Sequence, residues 1–399
     1  MATTEGNLSK GIFWASFCGL CATVIGLGIG RFSFVPLIPA MISNDWYSEA
    51  LTGYLGSTTL FGYLLGGLTA HRLSEKIGSA NTIKLSMVIV TFVYLGCFQP
   101  FSYPWLIFCR LFAGIAGAWI VIITPGYIFH RTDPKYKARI SGMIFSGIGL
   151  GVVISGYIVP NLLDISLSTA WLGLGAASGL FTLVSWSFWV PLKKLPYVTR
   201  QSNTSESYQL NDNPKKTLVI MLLSAYALDA IGYLPHTIYW VHYLVHGLDL
   251  SFIEGGHFWV LFGVGAILGP HIMGVAADKY GLANLLVVAF FLKAFAILLP
   301  NLSTNYWSLV ASSMLVGGLT SGVVSLVSAT TLEIVGKQHH KQVWGWMTIS
   351  FATTQAIMGY GIVLLFTQTM NYSLLFYIGC GCLMASVLIA LKLRLSIVH

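Results

Sequence analysis

The sequence predicts an all-α integral membrane protein: twelve transmembrane helices in two parallel six-helix repeats. Three observations predict it. Of 399 residues, 56% are hydrophobic and only 9% are charged, where a soluble domain carries about 25% charge. The apolar residues gather into twelve long runs separated by short polar segments. A short motif and several glycines recur in both halves at one constant offset. So much apolar surface requires lipid as the main solvent, which excludes a water-soluble globular domain, a disordered chain and a nucleic-acid binder.

The first run, 11–42, is far longer than the roughly 7–15 apolar residues of a cleaved signal core, so it is expected to remain as helix 1. Runs 51–70, 83–100, 105–129, 140–160 and 169–191 complete a first set of six. Runs 217–245, 253–275, 284–300, 306–334, 343–367 and 373–391 form the second. Each is near or above the roughly 20 residues that cross a bilayer as a helix. A barrel strand would alternate apolar and polar over about 10 residues, and these runs are continuously apolar. The polar stretch between the sets reads as a flexible linker. The expected division is therefore 1–192, a linker at 193–216, and 217–399.

The charges outside the runs set the orientation. Eighteen of the 21 basic residues lie at the ends of the chain or in alternate loops. The intervening loops have none and carry Asp45, Glu49, Asp164 and Asp249 instead. Basic loops stay cytoplasmic, so both termini are expected there, and the net charge of +8 is a topology signal rather than a nucleic-acid footprint. Cys18, Cys21, Cys97, Cys109, Cys380 and Cys382 all fall within or at the edge of runs and read as small buried residues rather than disulfides or metal ligands. There is no nucleophile–base pair, phosphate loop, dinucleotide loop or convincing metal set, so an enzyme is not expected, and neither is a cofactor or a bound metal.

The repeat is visible residue by residue. Glu75-Lys76-Ile77-Gly78-Ser79-Ala80-Asn81 follows run 2, and Asp278-Lys279-Tyr280-Gly281-Leu282-Ala283-Asn284 follows run 8, with Glu75 and Asp278 203 positions apart. The same offset relates Gly114 to Gly317, Gly142 to Gly345, and Gly156-Tyr157 to Gly359-Tyr360. An even number of crossings per half gives both halves the same orientation, a parallel repeat about an axis along the membrane normal. The carboxylate at a helix end can meet a neighbouring helix N-terminus or a basic side chain, and the glycine permits a tight turn; a solvated tight loop is the alternative.

With twelve runs in a 6+6 arrangement and a central linker, Gly274-Val275-Ala276-Ala277-Asp278-Lys279-Tyr280-Gly281 resembles the loop motif of the major facilitator superfamily. The first-half copy departs from it, with Glu75 for Asp and His71 for the leading glycine. The segment Gly28-Ile29-Gly30-Arg31-Phe32-Ser33-Phe34-Val35-Pro36-Leu37-Ile38-Pro39 and Arg110-Leu111-Phe112-Ala113-Gly114 resemble the bacterial YbfB/YjiJ-type branch. The resemblance implies the major facilitator fold in a bacterial inner membrane and a conformational-latch role for Glu75, Lys76, Gly78, Gly274, Asp278, Lys279 and Gly281. It also implies a central cavity lined by helices 1, 4, 7 and 10.

An ionisable group in hydrocarbon costs at least about 2.5–3.5 kcal/mol and usually faces a cavity or a partner. Arg31, Arg110, Asp229 and Lys293 are such groups. Asp229 lies roughly 18 Å into run 7, near the midplane, while Arg31 and Arg110 lie in the outer halves of runs 1 and 4. Guanidinium forks suit carboxylate or phosphate, so Arg31 and Arg110 are expected to bind an anionic substrate group. Asp229 would serve as their counter-ion or as the proton-coupling carboxylate; a purely structural Arg–Asp lock is the alternative. Lys293, on a helix usually peripheral, is expected to pair structurally or snorkel. Tyr233, Gln355 and Tyr360 are candidate cavity side chains; most other aromatics read as packing or belt residues. His236, His242, His246 and His257 are expected mainly as interfacial polar residues, although His242 and His246 have metal-like i,i+4 spacing and a protonatable vestibule is a further alternative.

The expected function is a secondary active transporter, monomeric, moving a small organic anion such as a carboxylate by alternating access with a proton as coupling ion. An exporter of amphipathic compounds is the alternative within the class, and a non-transporting sensor on the same fold the alternative outside it. The topology is open to direct test. Ser303→Cys is expected to react with an impermeant maleimide on intact cells and Thr204→Cys only after permeabilisation; the reverse pattern would invert the orientation.

Overall fold

The computed structural model describes residues 2–129, 137–189 and 215–398, and among them there is no strand. Among the described residues, twelve helices build the bundle. Helix α1 runs Ala2–Thr23, continues as a π-helix over Val24–Phe32 and resumes as an α-helix over Phe34–Ser43. Then come α2 (Glu49–Ile77), α3 (Ser79–Gly96), α4 (Tyr103–Phe129), α5 (Lys137–Leu163) and α6 (Leu167–Trp186). Helix α7 spans Lys216–Gly232 and then alternates π and α turns from Pro235 to Gly247. Next are α8 (Phe252–Tyr280) and α9 (Leu282–Leu302). Helices α10 (Tyr306–Gly336) and α11 (Gln338–Thr369) are one hydrogen-bonded run broken at Gly336, whose φ is 74°. Helix α12 (Tyr372–Val398) ends the fold. The linker expected at 193–216 lies largely outside the described residues.

Two differences from the sequence reading have physical causes. Among the described residues, eleven helices are long and apolar enough to cross a membrane by hydropathy; α2 falls short. Its middle is rich in Gly53, Gly56, Ser57, Thr58, Thr59 and Gly62, small residues of which all but Gly56 are buried against neighbouring helices. The second difference is length. Helix α2 continues through Glu75 and Lys76, and α8 through Asp278 and Lys279, residues expected in loops. Apolarity ends where lipid ends, but backbone hydrogen bonding does not. The turn itself is a single residue in each half: Gly78 (φ 86°, ψ 145°) and Gly281 (φ 82°, ψ 148°) each cap one helix and start the next, a conformation open essentially to glycine alone.

The 203-residue offset reappears as packing. A Cβ on Gly62 would strike the Leu111 carbonyl of α4, and one on Gly265 would strike the Met314 carbonyl of α10. Gly66 meets Ile115, as Gly269 meets Gly318. Each pair of partners is displaced by the same 203 positions. Small residues let these backbones touch. The contacts between halves follow the same symmetry: α5 lies on α8, with Gly149 against Gly263 and Gly156 against Gly256, and α2 lies on α11, with Gly53 against Val363 and Gly359 against Leu60. The glycine string of α5 thus serves two neighbours. Gly147 and Gly151 face α1, where Gly151 sits on Gly28, and the Thr23 hydroxyl donates to the Ile144 carbonyl.

The contrast among glycines gives a stability test. Gly269→Val forces a side chain into the α10 backbone, whereas a Cβ added at Gly274 would have no neighbour within 4 Å. Gly269→Val is expected to abolish a monodisperse detergent-solubilised protein, and Gly274→Ala to shift its melting temperature by no more than a surface substitution does, an effect within about 0.5 kcal/mol.

Candidate functional site

The π segment of α1 builds the site. Its extra residue per turn is seen in the Ser33 amide, which bonds to the Gly28 carbonyl at 3.1 Å. Segments of this kind often mark functional sites because they release backbone groups from the usual ladder. Here the Ile29 carbonyl accepts from the Tyr94 hydroxyl of α3 at 2.6 Å, and the Gly30 carbonyl accepts from Arg110 Nη2 of α4 at 3.3 Å. Arg110 Nη1 donates to the Tyr94 hydroxyl at 2.9 Å, and its guanidinium carbon stands 4.2 Å from the centre of the Phe34 ring. Arg110 therefore fastens the irregular turn of α1 to α3 and α4. Its Nε is buried without a partner.

Arg31, one residue beyond Gly30, points the other way. Its Nη2 donates to Gln355 Oε1 of α11 at 2.9 Å and to the Tyr233 hydroxyl of α7 at 3.5 Å. Gln355 Nε2 closes the triangle with a 2.6 Å bond to the same hydroxyl. The guanidinium lies over Phe32 and Tyr63 at 5.0 and 5.8 Å. Arg31 and Arg110 also line one enclosed cavity of about 20 Å³ with Thr59, Leu60, Thr237 and Ile238, space for a single water. Among the described residues, neither arginine has a carboxylate within salt-bridge distance.

Asp229 is not the counter-ion of the arginines that the sequence leads one to expect. It is held by Lys293 of α9, whose Nζ donates to Asp229 Oδ1 at 2.7 Å, with both side chains buried. Depth decides this: both residues lie near the middle of their helices, while the arginines sit nearer the far end of the bundle, opposite the termini. Matching depths along the runs would have found the pair. Lys293 also stands 4.3 Å from the centre of the Tyr233 ring, so one tyrosine touches the ion pair with its face and Arg31 with its hydroxyl. Tyr94 escapes a sequence reading altogether, because nothing in its local sequence distinguishes it from a belt aromatic.

Of the remaining candidates, Tyr360 is not part of this cluster: its hydroxyl bonds Thr58 at 3.1 Å and its ring stacks on Tyr54 at the α2–α11 contact. Glu75, Lys76, Asp278 and Lys279 lie at the terminal end of the bundle; Glu75 pairs with His71 at 3.1 Å, and Gly274 is open. The histidines differ from expectation, since two are buried rather than interfacial. His236 bonds Ser312 at 2.8 Å and stacks on Trp240. His242 joins the halves at the far end, with Nε2 3.2 Å from Glu49 of α2 and Nδ1 2.8 Å from the Tyr372 hydroxyl. His246 lies 3.4 Å from Ser43 of α1, and His257 is exposed. These contacts close the far mouth of the bundle. Among the described residues, no group of three or more His, Cys, Asp or Glu is placed to hold a metal ion.

Known proteins resemble this chain in sequence. The family described as uncharacterised MFS-type transporter YbfB matches residues 23–391. The tetracycline resistance protein, class H, of Pasteurella multocida is 23% identical over 95% of both chains. The gentisate transporter of Corynebacterium glutamicum is 21% identical over 90% of this chain and 83% of its own. A probable 4-methylmuconolactone transporter of Cupriavidus pinatubonensis is 26% identical over 50% of this chain and 44% of its own. Twelve helices, paired glycine crossings and a match across nearly the whole chain agree: the protein belongs to the YbfB-type branch of the major facilitator superfamily and is a membrane transporter, not an enzyme.

Proposed function

We propose that the chain is a secondary active transporter for a small organic anion, in the first instance a carboxylate, working as a proton-coupled monomer in the bacterial inner membrane with both termini cytoplasmic. One observation carries the reading: two buried arginines, Arg31 and Arg110, line a common cavity with no carboxylate within salt-bridge distance of either among the described residues. Burying an uncompensated cation is costly, so an anion entering this layer is drawn by groups already in place. Arg31 is the main binding group, since its protein partners are a neutral amide and a phenol that can yield to a carboxylate. Arg110 holds the irregular turn of α1 and lends charge. Thr237 lines the same cavity, and the Tyr63 ring lies beside the Arg31 guanidinium. The gentisate transporter of Corynebacterium glutamicum, a relative named for an aromatic carboxylate, supports the substrate class.

Alternating access requires the contacts at the far mouth, Glu49–His242 and Ser43–His246, to form and break as the halves rock. The glycine-packed pairs α5–α8 and α2–α11 are the surfaces on which they would move. A second reading, export of an amphipathic compound, is favoured by the stacked aromatics Tyr226, Phe351 and Tyr233 beside the site and by the tetracycline resistance relative.

The two readings separate by charge. In proteoliposomes, Arg31→Ala is expected to lower counterflow of an aromatic carboxylate such as gentisate by about 10–100-fold, the loss of one or two charged hydrogen bonds. Arg31→Lys should recover little of it, because the fork is lost. Unchanged carboxylate counterflow in Arg31→Ala would remove the anion reading and leave the exporter.

A further inference from the structure

The ion pair Asp229–Lys293 lies apart from the arginine cavity yet is joined to it by Tyr233. From this arrangement we infer that the pair is the proton-handling element of transport, that Lys293 is as much a part of it as Asp229, and that proton and anion travel together. The inference rests on the anion-transport reading and adds the direction of coupling to it.

The argument is one of charge in a dry layer. With Asp229 ionised, Lys293 has its counter-ion at 2.7 Å. The titratable groups around the pair are Tyr226, Tyr233 and His236 of α7, with Arg31 of α1 and Tyr63 of α2 beyond the tyrosines; the neutral Gln355 of α11 bonds Tyr233, and Ser386 of α12 bonds the Ala225 carbonyl one turn before Asp229. Among the described residues no second carboxylate lies within salt-bridge distance of Lys293. When Asp229 takes one proton from water, the bond between ammonium and carboxylate is lost and Lys293 keeps its own proton. The layer gains one positive charge and Lys293 has no anion. The substrate carboxylate then becomes the counter-ion that this layer lacks. Proton uptake thus raises anion affinity, and by reciprocity anion binding favours proton uptake, which is symport.

Tyr233 is the positioning residue that transmits the change. Lys293 stands on its face at 4.3 Å, and Arg31 and Gln355 both donate to its hydroxyl. A lysine released from Asp229 cannot move along that face without disturbing the hydroxyl that helps hold Arg31. The sequence placed Lys293 on a peripheral helix, yet its side chain is wholly buried and its ammonium reaches the central one.

The test uses the full chain in proteoliposomes with radiolabelled gentisate as probe. Wild-type protein is expected to accumulate gentisate inside vesicles whose interior is made alkaline, with the limiting ratio rising about tenfold per pH unit for one proton per anion. Because Asp229→Asn alone leaves a buried ammonium unpaired and threatens folding, the decisive variant is Asp229→Asn with Lys293→Gln, which removes both charges. At saturating gentisate it is expected to exchange the anion with the lower affinity of the unprotonated wild-type site and with a flat pH profile, while accumulation falls to an equal concentration on both sides. Tyr233→Phe, which keeps the ring but not the hydroxyl, should lower anion affinity and weaken the dependence of that affinity on pH. Uphill accumulation in the double variant would overturn the inference while leaving anion transport standing. No gentisate flux in wild-type vesicles would overturn the anion reading and, with it, this one.

Discussion

A guanidinium buried in a lipid-embedded bundle without a carboxylate is the constraint from which the rest of the site follows. Arg31 cannot be left bare, and the structure surrounds it with weak, neutral company: one amide, one phenol and two aromatic faces. Such partners satisfy donors without cancelling charge. The mid-membrane carboxylate that could have cancelled it, Asp229, is taken by Lys293. The separation of the two systems keeps the positive potential where a ligand can use it. The hydrogen bonds from Arg31 to Gln355 and Tyr233 also cross between the halves, so the same atoms that would receive a ligand hold the bundle together when none is bound.

The irregular turn of α1 makes this possible. An α-helical register through Val24–Phe32 would leave the Ile29 and Gly30 carbonyls inside the helix ladder. The π register offers them to Tyr94 and Arg110 instead, and Gly28 lets α5 approach closely enough to support the distortion. Two rigid contacts on one side of the helix thus fix the direction of Arg31 on the other. A positioned charge on a distorted helix needs such a frame, since an unsupported π turn would relax to the ordinary register.

Much of this is legible in the sequence, and the reasons for the remainder are specific. Twelve crossings, the repeat and the identity of the intramembrane charges are written in composition and spacing. Even the atomic contacts of Gly62 and Gly265 follow the offset read from the loop motif. The partner of Asp229 is not legible from helix roles, because α9 is peripheral as a backbone while the Lys293 side chain spans the distance to α7. A long flexible side chain reports where its head is, not where its helix is. The π segment of α1 is invisible because its cause is tertiary, since nothing in Val24–Phe32 forbids an α-helix locally, whereas in α7 Pro235 marks the break by removing a backbone donor. The burial of His236 and His242 escapes for the same reason, since serine, glutamate and tyrosine partners on other helices make their burial tolerable.

The contact between Ser43 and His246 has a meaning that reaches past the present molecule. Positions 43 and 246 are separated by the repeat length, so each is the other's counterpart, and the place where they meet lies on the two-fold axis relating the halves. In a symmetric dimer of six-helix chains, a residue on the axis meets its own copy. Within one chain that contact can hold a serine on one side and a histidine on the other, which a pair of identical subunits could not. The same freedom lets one half bear the arginines and the other the ion pair.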